Sequence, residues 1–342
     1  MPTKRQVKKL AKAEESEPFA FSFGDPESVL QNEWLDYLGV FSNETAGIYE
    51  PPYSMSGLAK MRNANAHHGS CLLFRRNMLA IAYRPTSRGL NVLDFRNLAL
   101  DFLTFGNAYV QTPRNFLGEI RMLSHVPAIN MRAKTDGGYR LLQPDGHHVD
   151  FEDDEILHIT DYDCLQQIYG LPEWLGGMQS ALLNQDATLF RRRYYVNGAH
   201  MGFIFYSRMA GLSVELQEKL KKQIQAGKGI GNFKSLFLHS PNGQEKAIEI
   251  IPVGDISQKD EFRQIKEISA DDVLVAHRVP GALAGVRPDN AAGDGDVTKR
   301  RLVYLQTETA SLATVFEALN DQLPPALHFR FEIPKDLPED AQ

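Results

Sequence analysis

The sequence has only two cysteines in 342 residues, no long apolar run and no surplus of positive charge. Cys71 and Cys164 lie far apart and show no CxxC spacing, so neither a zinc site nor a disulfide framework is expected, and both should be reduced thiols. No apolar run approaches the ~20 residues that a membrane-crossing helix needs, and the N-terminus lacks the apolar region of a signal peptide. We therefore expect a chain that is made and assembled in the cytoplasm and has no membrane partner.

Charge and composition narrow the classes of protein to which the chain can belong. The formal net charge is −6, which argues against a protein whose main role is to bind nucleic acid through positive charge. Hydrophobic residues make up 43% of the chain and charged residues 23%, which fits a folded protein with enough apolar surface for a core. The length suggests two or three ordinary domains or one elongated domain.

The most informative stretch runs from Tyr169 to Tyr206. Pro172 suits the first turn of a helix, and Asn197-Gly198 supplies a left-handed stop just beyond a helix end. Between these limits apolar residues recur at three- and four-residue steps, which predicts one helix with an apolar face. These residues are Trp174, Leu175, Met178, Leu182, Leu189 and Tyr194. After the stop, Gly202 to Tyr206 is predicted to be a short buried strand.

Helical patterns also fill much of the chain before this stretch. Trp34, Tyr37 and Phe41 have helix-like spacing. Residues 57–83 form a second helical region, interrupted or bent near His67. Val92 to Phe105 form a third, from which GNAYV leads out as a strand-like segment.

Between Glu119 and Ile159 the pattern changes. Short β-type runs are divided by turn sequences such as Asp136-Gly137-Gly138 and Pro144-Asp145-Gly146, which predicts a small β module between two helices. Towards the other end of the chain, Thr298 can cap a last long helix. LHFRFEI at residues 327–333 then alternates as a strand does.

Several motifs together carry a resemblance to a known family. The strongest are GLPEWLGGMQSALL from Gly170, FRRRYYVNGAHMGFIFY from Phe190 and HRVPGALAGV from His277. Weaker ones are FGNAYV at 105–110 and EILHI at 155–159, so the similarity extends in order over most of the chain. In this combination the sequence resembles the portal proteins of tailed bacteriophages, and in particular the P2-like (PBSX-type) portal vertex family.

The resemblance implies an α+β fold, an elongated portal protomer with long stem and wing helices and an inserted small β-rich clip module. Such protomers assemble into a ring, expected to be a dodecamer, at one capsid vertex of the virion. The ring is a conduit through which DNA is packaged and ejected; it is not an enzyme and needs no cofactor. The expected partners are further copies of the chain, the major capsid protein and scaffold, the terminase, head-completion or connector proteins, and double-stranded DNA in the channel.

The predicted elements and the resemblance together give an expected division of the chain. The segments are a disordered basic and acidic N-terminal arm (1–25), N-terminal wing helices (26–91), the first stem helix with its strand-like exit (92–112), the β-rich clip module (113–165), the second long stem helix (166–198), a wing with a hairpin and a loop (199–297), the C-terminal helix and strand (298–333) and a disordered acidic tail (334–342).

Two sets of residues are candidates for a role at the channel. Arg191, Arg192 and Arg193 are candidate channel or subunit-interface residues, although three consecutive positions fan over most of a helix circumference and cannot all face one channel. A solvated helix end that complements the helix dipole is the alternative for this triplet. The candidate mobile loop lies between Arg287 and Val297, and the segment after Asn197-Gly198 is the other candidate for a channel loop. The residues of the first loop singled out are Asn290, Gly293, Asp294 and Gly295.

A cluster of histidines and acids keeps an enzymatic alternative open. Its members are His147, His148, Asp150, Asp153, Asp154, His158, Asp161 and Asp163. Side chains of these types could hold a divalent ion or supply an acid and a base, as in a metal-dependent enzyme that acts on nucleic acid. Strand alternation sends successive side chains to opposite faces, which favours a structural role, so no metal site and no catalytic residue are predicted. Another virion ring or adaptor protein is a second alternative.

Overall fold

The computed structural model describes residues 39–196, 203–207, 248–252, 259–283 and 297–335. The chain divides into two compact units. One comprises Met1–Val29 with Ala187–Phe262, and the other Leu30–Asp186 with Arg263–Gln342. Among the described residues, no helix combines the length and the apolar character that crossing a bilayer requires.

The larger unit begins, in its described part, with a hairpin. Strands β1 (Phe41–Asn43) and β2 (Ile48–Glu50) pair antiparallel, and Gly47 in the turn between them has φ +62°. The helical prediction for Phe41 is therefore wrong. The left-handed turn at Gly47 reverses the chain, and Phe41 pairs with Glu50.

Three helices follow, α1 (Met55–Ala64), α2 (Ala66–Ala82) and α3 (Val92–Phe105). The predicted bend in the second helical region is at Asn65, whose side chain accepts from the His68 N–H at 2.9 Å and so begins α2 where α1 ends. Gly106 at φ +66° ends α3, and its N–H donates to the Phe102 carbonyl.

The predicted β-type region forms two antiparallel three-stranded sheets. The strands are β3 (Asn107–Gln111), β4 (Ser124–Val126), β5 (Met131–Ala133), β6 (Tyr139–Leu142), β7 (His148–Phe151) and β8 (Ile156–Thr160). Their order is β4-β3-β8 in one sheet and β5-β6-β7 in the other. The strand-like exit after α3 is confirmed, because it is β3, the central strand of the first sheet.

One hydrophobic core joins these sheets to the helices. Phe95 and Phe102 of α3 are buried in the same cluster as Tyr109 of β3, Phe151 of β7 and Ile159 of β8. The β region therefore packs against α1 to α3 and shares their core.

The helix predicted after Pro172 begins with a 3₁₀ turn, Glu173–Gly177, and continues as α4 (Met178–Val196). Its predicted apolar face is confirmed for Trp174, Met178 and Leu182, which are buried. Leu175 and Leu189 are half-buried, and the side chain of Tyr194 lies outside the described part. The predicted stop at Asn197-Gly198 lies outside the described residues. The strand predicted next is β9 (Phe203–Ser207), which pairs antiparallel with β10 (Ile248–Pro252).

The remaining helices are α5 (Lys259–Ala276), α6 (Val297–Tyr304) and α7 (Ala310–Glu317). A π-helical turn, Leu305–Thr309, joins α6 to α7, and a 3₁₀ turn, Ala318–Gln322, follows α7. The last long helix is thus present, with an irregular turn in its middle.

The predicted C-terminal strand is wrong. Residues 327–333 form a single β-bridge, Phe331 to Tyr83, and no ladder. The partner segment ends two residues later at Pro85, which has no N–H to donate. The alternating apolar residues Phe329 and Phe331 instead pack against the Phe95 ring.

Candidate functional site: the junction between the sequence motifs

A buried asparagine at the start of β3 joins three of the motifs. The Asn107 side-chain N–H group donates to the carbonyl oxygens of Phe105 and Gly170, each at 2.8 Å. Its side-chain oxygen accepts from the Gly170 N–H at 2.8 Å and lies 3.0 Å from Nε2 of His158. Asn107 therefore ties FGNAYV to GLPEW and to EILHI.

His158 is part of the core at this point. Its ring stacks on Tyr109 with a centroid distance of 4.3 Å. Burial lowers the pKa of His158 to about 3, so the imidazole is neutral at physiological pH. It is a packed hydrogen-bonding group and is not poised to exchange protons near pH 7.

Two glycines let the main chains of these motifs touch. A Cβ at Gly106 would lie 2.4 Å from the Leu171 carbonyl carbon, and one at Gly170 would lie 2.2 Å from the Gly106 oxygen. Two main-chain bonds use this approach. The Asp161 N–H donates to the Gly106 oxygen at 2.8 Å, and the Leu171 N–H donates to the Asp161 oxygen at 3.0 Å.

Trp174 and two histidines pack where the GLPEW motif meets the end of α5. Trp174 is 1% exposed, and its Nε1–H donates to the Leu103 oxygen at 2.9 Å. The His68 ring lies edge-on to Trp174 at 4.3 Å, and its Nδ1 is 2.8 Å from Nε2 of His277. Burial lowers the pKa of His68 to about 4 and that of His277 well below its usual range. One N–H···N bond therefore joins two neutral rings.

A charged network surrounds this packing. Arg75, with its side chain 2% exposed, donates to Oε2 of Glu173 at 2.7 Å. Arg278, just after α5, has Nη1 3.5 Å from Oε1 of Glu173 and 3.6 Å from Oε2 of Glu308 on the π-helical turn. Arg278 has φ +54°, a left-handed conformation that is costly for a residue with a Cβ. The network links α2, the start of the α4 region, the end of α5 and the π-helical turn.

Burial also raises the pKa values of two neighbouring groups, Asp161 and Cys71. Burial and then the charge of Glu173 raise the pKa of Asp161 to about 6. Burial raises the pKa of the Cys71 thiol to about 12, so the thiol stays protonated and unreactive near pH 7. The groups of this junction are thus neutral or paired with one another, an arrangement that holds structural elements together.

In the structure, the side chains of the His147 to Asp163 cluster make separate local contacts and do not form one site. Asp150 forms an ion pair with Arg140 and Asp154 with Arg114, while Asp153 accepts from the Gly138 N–H and Asp163 from the Leu165 N–H. His158 is half-buried, whereas His147 and His148 are exposed. Within the described ranges, no three His, Cys, Asp or Glu side chains are grouped so that they could hold a metal ion.

The chain matches a known protein family over a range that includes the motifs of this junction. A family model for the phage portal protein matches residues 87–339. The chain belongs to the phage portal protein family. The match includes the segments that meet around Asn107, Trp174 and Glu173, and the enzymatic alternative is not favoured.

Two relatives support the P2-like placement of this portal protein. It is 40% identical over 296 residues to a probable portal protein of Haemophilus phage HP1 (strain HP1c1), covering 85% of this chain and 86% of that one. It is 39% identical over 306 residues to a probable portal protein of Escherichia phage P2, covering 89% and 88%.

Solved structures show the same portal fold at low sequence identity. An HK97-family phage portal protein from Corynebacterium diphtheriae has a TM-score of 0.57 at 15% identity, with 81% of this chain and 94% of that chain covered. A chain of the neck of a native gene transfer agent particle, computed with C12 symmetry, has a TM-score of 0.58 at 17% identity, with 83% and 85% covered. The mixed helix and strand fold predicted from the sequence is confirmed.

The structure describes only some of the candidate channel and loop residues. Arg191 and Arg192 lie on α4 and are exposed, and Arg193 lies on the same helix, although its side chain is outside the described part. The candidate loop residues Asn290, Gly293, Asp294 and Gly295 lie outside the described residues. The role of both sets stays a prediction.

Sequence reasoning found the portal motifs but missed several of their partners. His68, Arg75 and Glu308 belong to no motif, yet they complete the packing and the charges around Trp174 and Glu173. The available signal for Arg75 was its spacing from Leu72 and Leu79, which places it on an apolar helix face where a charge needs a carboxylate partner.

Proposed function

We propose that this portal protein forms a ring of twelve copies at one capsid vertex and serves as the conduit for DNA packaging and ejection. Family membership over residues 87–339 is the observation that carries the proposal. Related necks of gene transfer agent particles were computed with C12 and with C6 symmetry, and a ring of twelve copies satisfies both.

Exposed apolar side chains on two helices support self-assembly. On α4, Leu183 is 50% exposed and Phe190, seven residues on, is 39% exposed. On α5, Ile268 and Val275 have the same spacing and are 62% and 75% exposed. Residues seven apart share a helix face, so each helix presents an apolar stripe that a neighbouring copy can cover.

The charge balance suits a conduit. Twelve copies at −6 each carry roughly −72 charges. DNA can then slide through without the affinity that counterion release at many phosphate contacts creates. We propose that the protein has no catalytic activity. We also propose that its partners at the vertex are the terminase and the capsid, scaffold and connector proteins.

We also propose a place for the clip other than residues 113–165. Those strands share the core of α1 to α3, whereas Ala187–Phe262 belongs to a separate compact unit, with the β9 and β10 pair between α4 and α5. The described elements α4, β9, β10 and α5 thus follow the helix, β, helix order expected of a clip between two stem helices.

Replacing residues 199–258 by a short linker should leave the core around α3 folded while terminase binding is lost. Collapse of the whole fold would contradict this placement.

Imaging the purified protein for rings with a central hole tests the main proposal. A chain that remains a folded monomer at micromolar concentration would contradict it.

A further inference from the structure

The turn between β3 and β4 presents two apolar side chains to solvent. Phe116 and Leu117 form its apex and are 111% and 84% exposed. The described part of the same copy thus leaves both side chains almost wholly uncovered. Residues 113–121 are here called the tip.

Hydrogen bonds hold the tip in one shape. The Asn115 N–H donates to the Glu119 oxygen and the Gly118 N–H to the Asn115 oxygen, each at 2.9 Å. Oδ1 of Asn115 accepts from the N–H groups of Leu117 and Glu119, at 2.9 and 3.0 Å. Nη1 of Arg114 donates to the Gly118 oxygen at 2.9 Å. The apex is therefore preorganised, so its burial by a partner costs little ordering entropy.

A cleft of about 600 Å³ lies beside the segment that precedes α3. Its apolar lining is Pro85, Pro325, Ala326 and Phe331, and its two arginines are Arg84 and Arg330. Clefts of about 300–1,000 Å³ hold ligands larger than one phenylalanine and one leucine side chain. Proline, alanine and aromatic carbons can pack against an aromatic ring, and guanidinium groups are attracted to its face. The cleft thus suits an aromatic guest.

The walls of the cleft are tied to one another. The Arg84 N–H donates to the Arg330 oxygen at 2.8 Å, and Nε of Arg84 donates to Oε2 of Glu332 at 2.7 Å. The Arg88 N–H donates to the Ala326 oxygen at 3.1 Å. The cleft is therefore formed before any guest arrives.

The tip and the cleft also carry complementary charges. Arg121 of the tip and Glu317 of the cleft are both exposed, as are Glu119 of the tip and Arg330 of the cleft. Within the described ranges, none of these four side chains forms an ion pair. Each surface therefore offers one acid and one base to a partner that carries the opposite set.

We propose that the tip of one copy inserts Phe116 and Leu117 into the cleft of the neighbouring copy in the ring. The proposal rests on the ring assembly proposed above. Tip and cleft are different surfaces, so the contact is head-to-tail, the kind from which rings of identical copies close. Insertion covers the apolar apex and brings the two unpaired charges of the tip beside the two of the cleft.

The first test compares three variants of the full chain by mass photometry over a range of protein concentrations. Phe116→Ser/Leu117→Ser removes the apex of the tip. Ala326→Trp fills the cleft from the other side. The control Tyr162→Ser/Leu165→Ser also removes one aromatic residue and one leucine, which are 78% and 70% exposed in another loop.

The tip variant and the cleft variant should each need about tenfold more protein than the wild type to assemble, or more. Full burial of one phenylalanine changes an equilibrium constant by at least about that factor. The control should assemble near the wild-type concentration. If a folded tip variant, with an unchanged circular dichroism spectrum, assembles like the wild type, the proposal is overturned, and equal losses in the tip variant and the control overturn it too.

The second test needs no destabilising substitution, so it decides the matter if a variant of the first test fails to fold. The full chain carrying p-benzoylphenylalanine at position 116 is mixed as isotope-labelled and unlabelled copies, irradiated, and analysed by mass spectrometry. Cross-links between copies should reach Pro325, Ala326 or Phe331. The same probe at position 162 should not reach this cleft. Assembled protein whose position 116 cross-links only to other surfaces, or to no second copy, overturns the proposal.

Failure of this contact is distinguishable from failure of the ring function. If the tip variant forms rings like the wild type, the ring function stands and this contact alone is wrong. If the wild type remains a folded monomer and gives no cross-link between copies, the ring function fails, and this contact fails with it.

Discussion

At the scale of single residues, Asn107 joins more of the portal motifs than any other side chain described above. Four hydrogen-bonding contacts of its side chain reach Phe105, both main-chain groups of Gly170 and the His158 ring. Replacing it leaves the buried main-chain groups of Gly170 and the half-buried His158 ring without this partner, which costs more than the bonds themselves.

Asn107→Ala should lower the free energy of unfolding by about 3 kcal/mol. Asn115→Ala is the matched control, because Asn115 also makes several side-chain bonds but in an exposed turn, and should cost about 1 kcal/mol or less. Urea unfolding of both variants, at a protein concentration where their assembly states are equal, measures the difference. Equal losses would show that Asn107 is an ordinary polar residue.

The buried histidine pair makes stability depend on pH. His68 has a pKa near 6.5 when unfolded and about 4 when folded, so between these values the unfolded chain binds more protons and stability falls as pH falls. His68 alone contributes a loss on the order of 2 kcal/mol between pH 7 and pH 5. Asp161, with its pKa raised to about 6, acts in the opposite sense, since its contribution is lost as pH rises through 6.

His68→Gln should therefore show a smaller drop in unfolding free energy between pH 7 and pH 5 than the wild type. Its stability at pH 7 is also expected to fall, since the packing against Trp174 changes, so the pH dependence is the informative quantity. Thermal unfolding in matched buffers measures it. An unchanged pH dependence would mean that the pair does not titrate as its burial requires.

At the scale of elements, Arg278 connects the end of α5 to two other segments at the expense of backbone strain. Its two ion pairs hold Glu173 and Glu308, while its φ of +54° disfavours any side chain. The two effects can be separated, because Ala removes the ion pairs and keeps the strain, whereas Gly removes both.

Arg278→Ala should thus be less stable than Arg278→Gly by about 1 kcal/mol. Differential scanning calorimetry of the two variants checks the order. If Ala is the more stable variant, the left-handed conformation is not maintained in solution.

Some of the elements could be predicted from the sequence, and others could not. Periodicity located α3, the helix after Pro172 and the β runs of residues 119–159, because each has strong local patterning. It failed for Phe41, where a single glycine turn outweighs helix-like spacing, and for residues 327–333, whose alternation serves an aromatic cluster. The junction itself was out of reach, since contacts such as His68 to His277 join segments far apart in the chain.

At the scale of the whole molecule, the motifs that identify the portal family are structural. They position α4 and α5, whose exposed apolar stripes then remain for contact with other copies. We therefore propose that this chain works only as a ring.

Negative-stain electron microscopy of the purified full-length protein, with class averages viewed along the symmetry axis, tests this claim most directly. We expect closed rings with a central hole and twelve-fold symmetry. Class averages that contain only particles of the size of a single 38.4 kDa chain would contradict it.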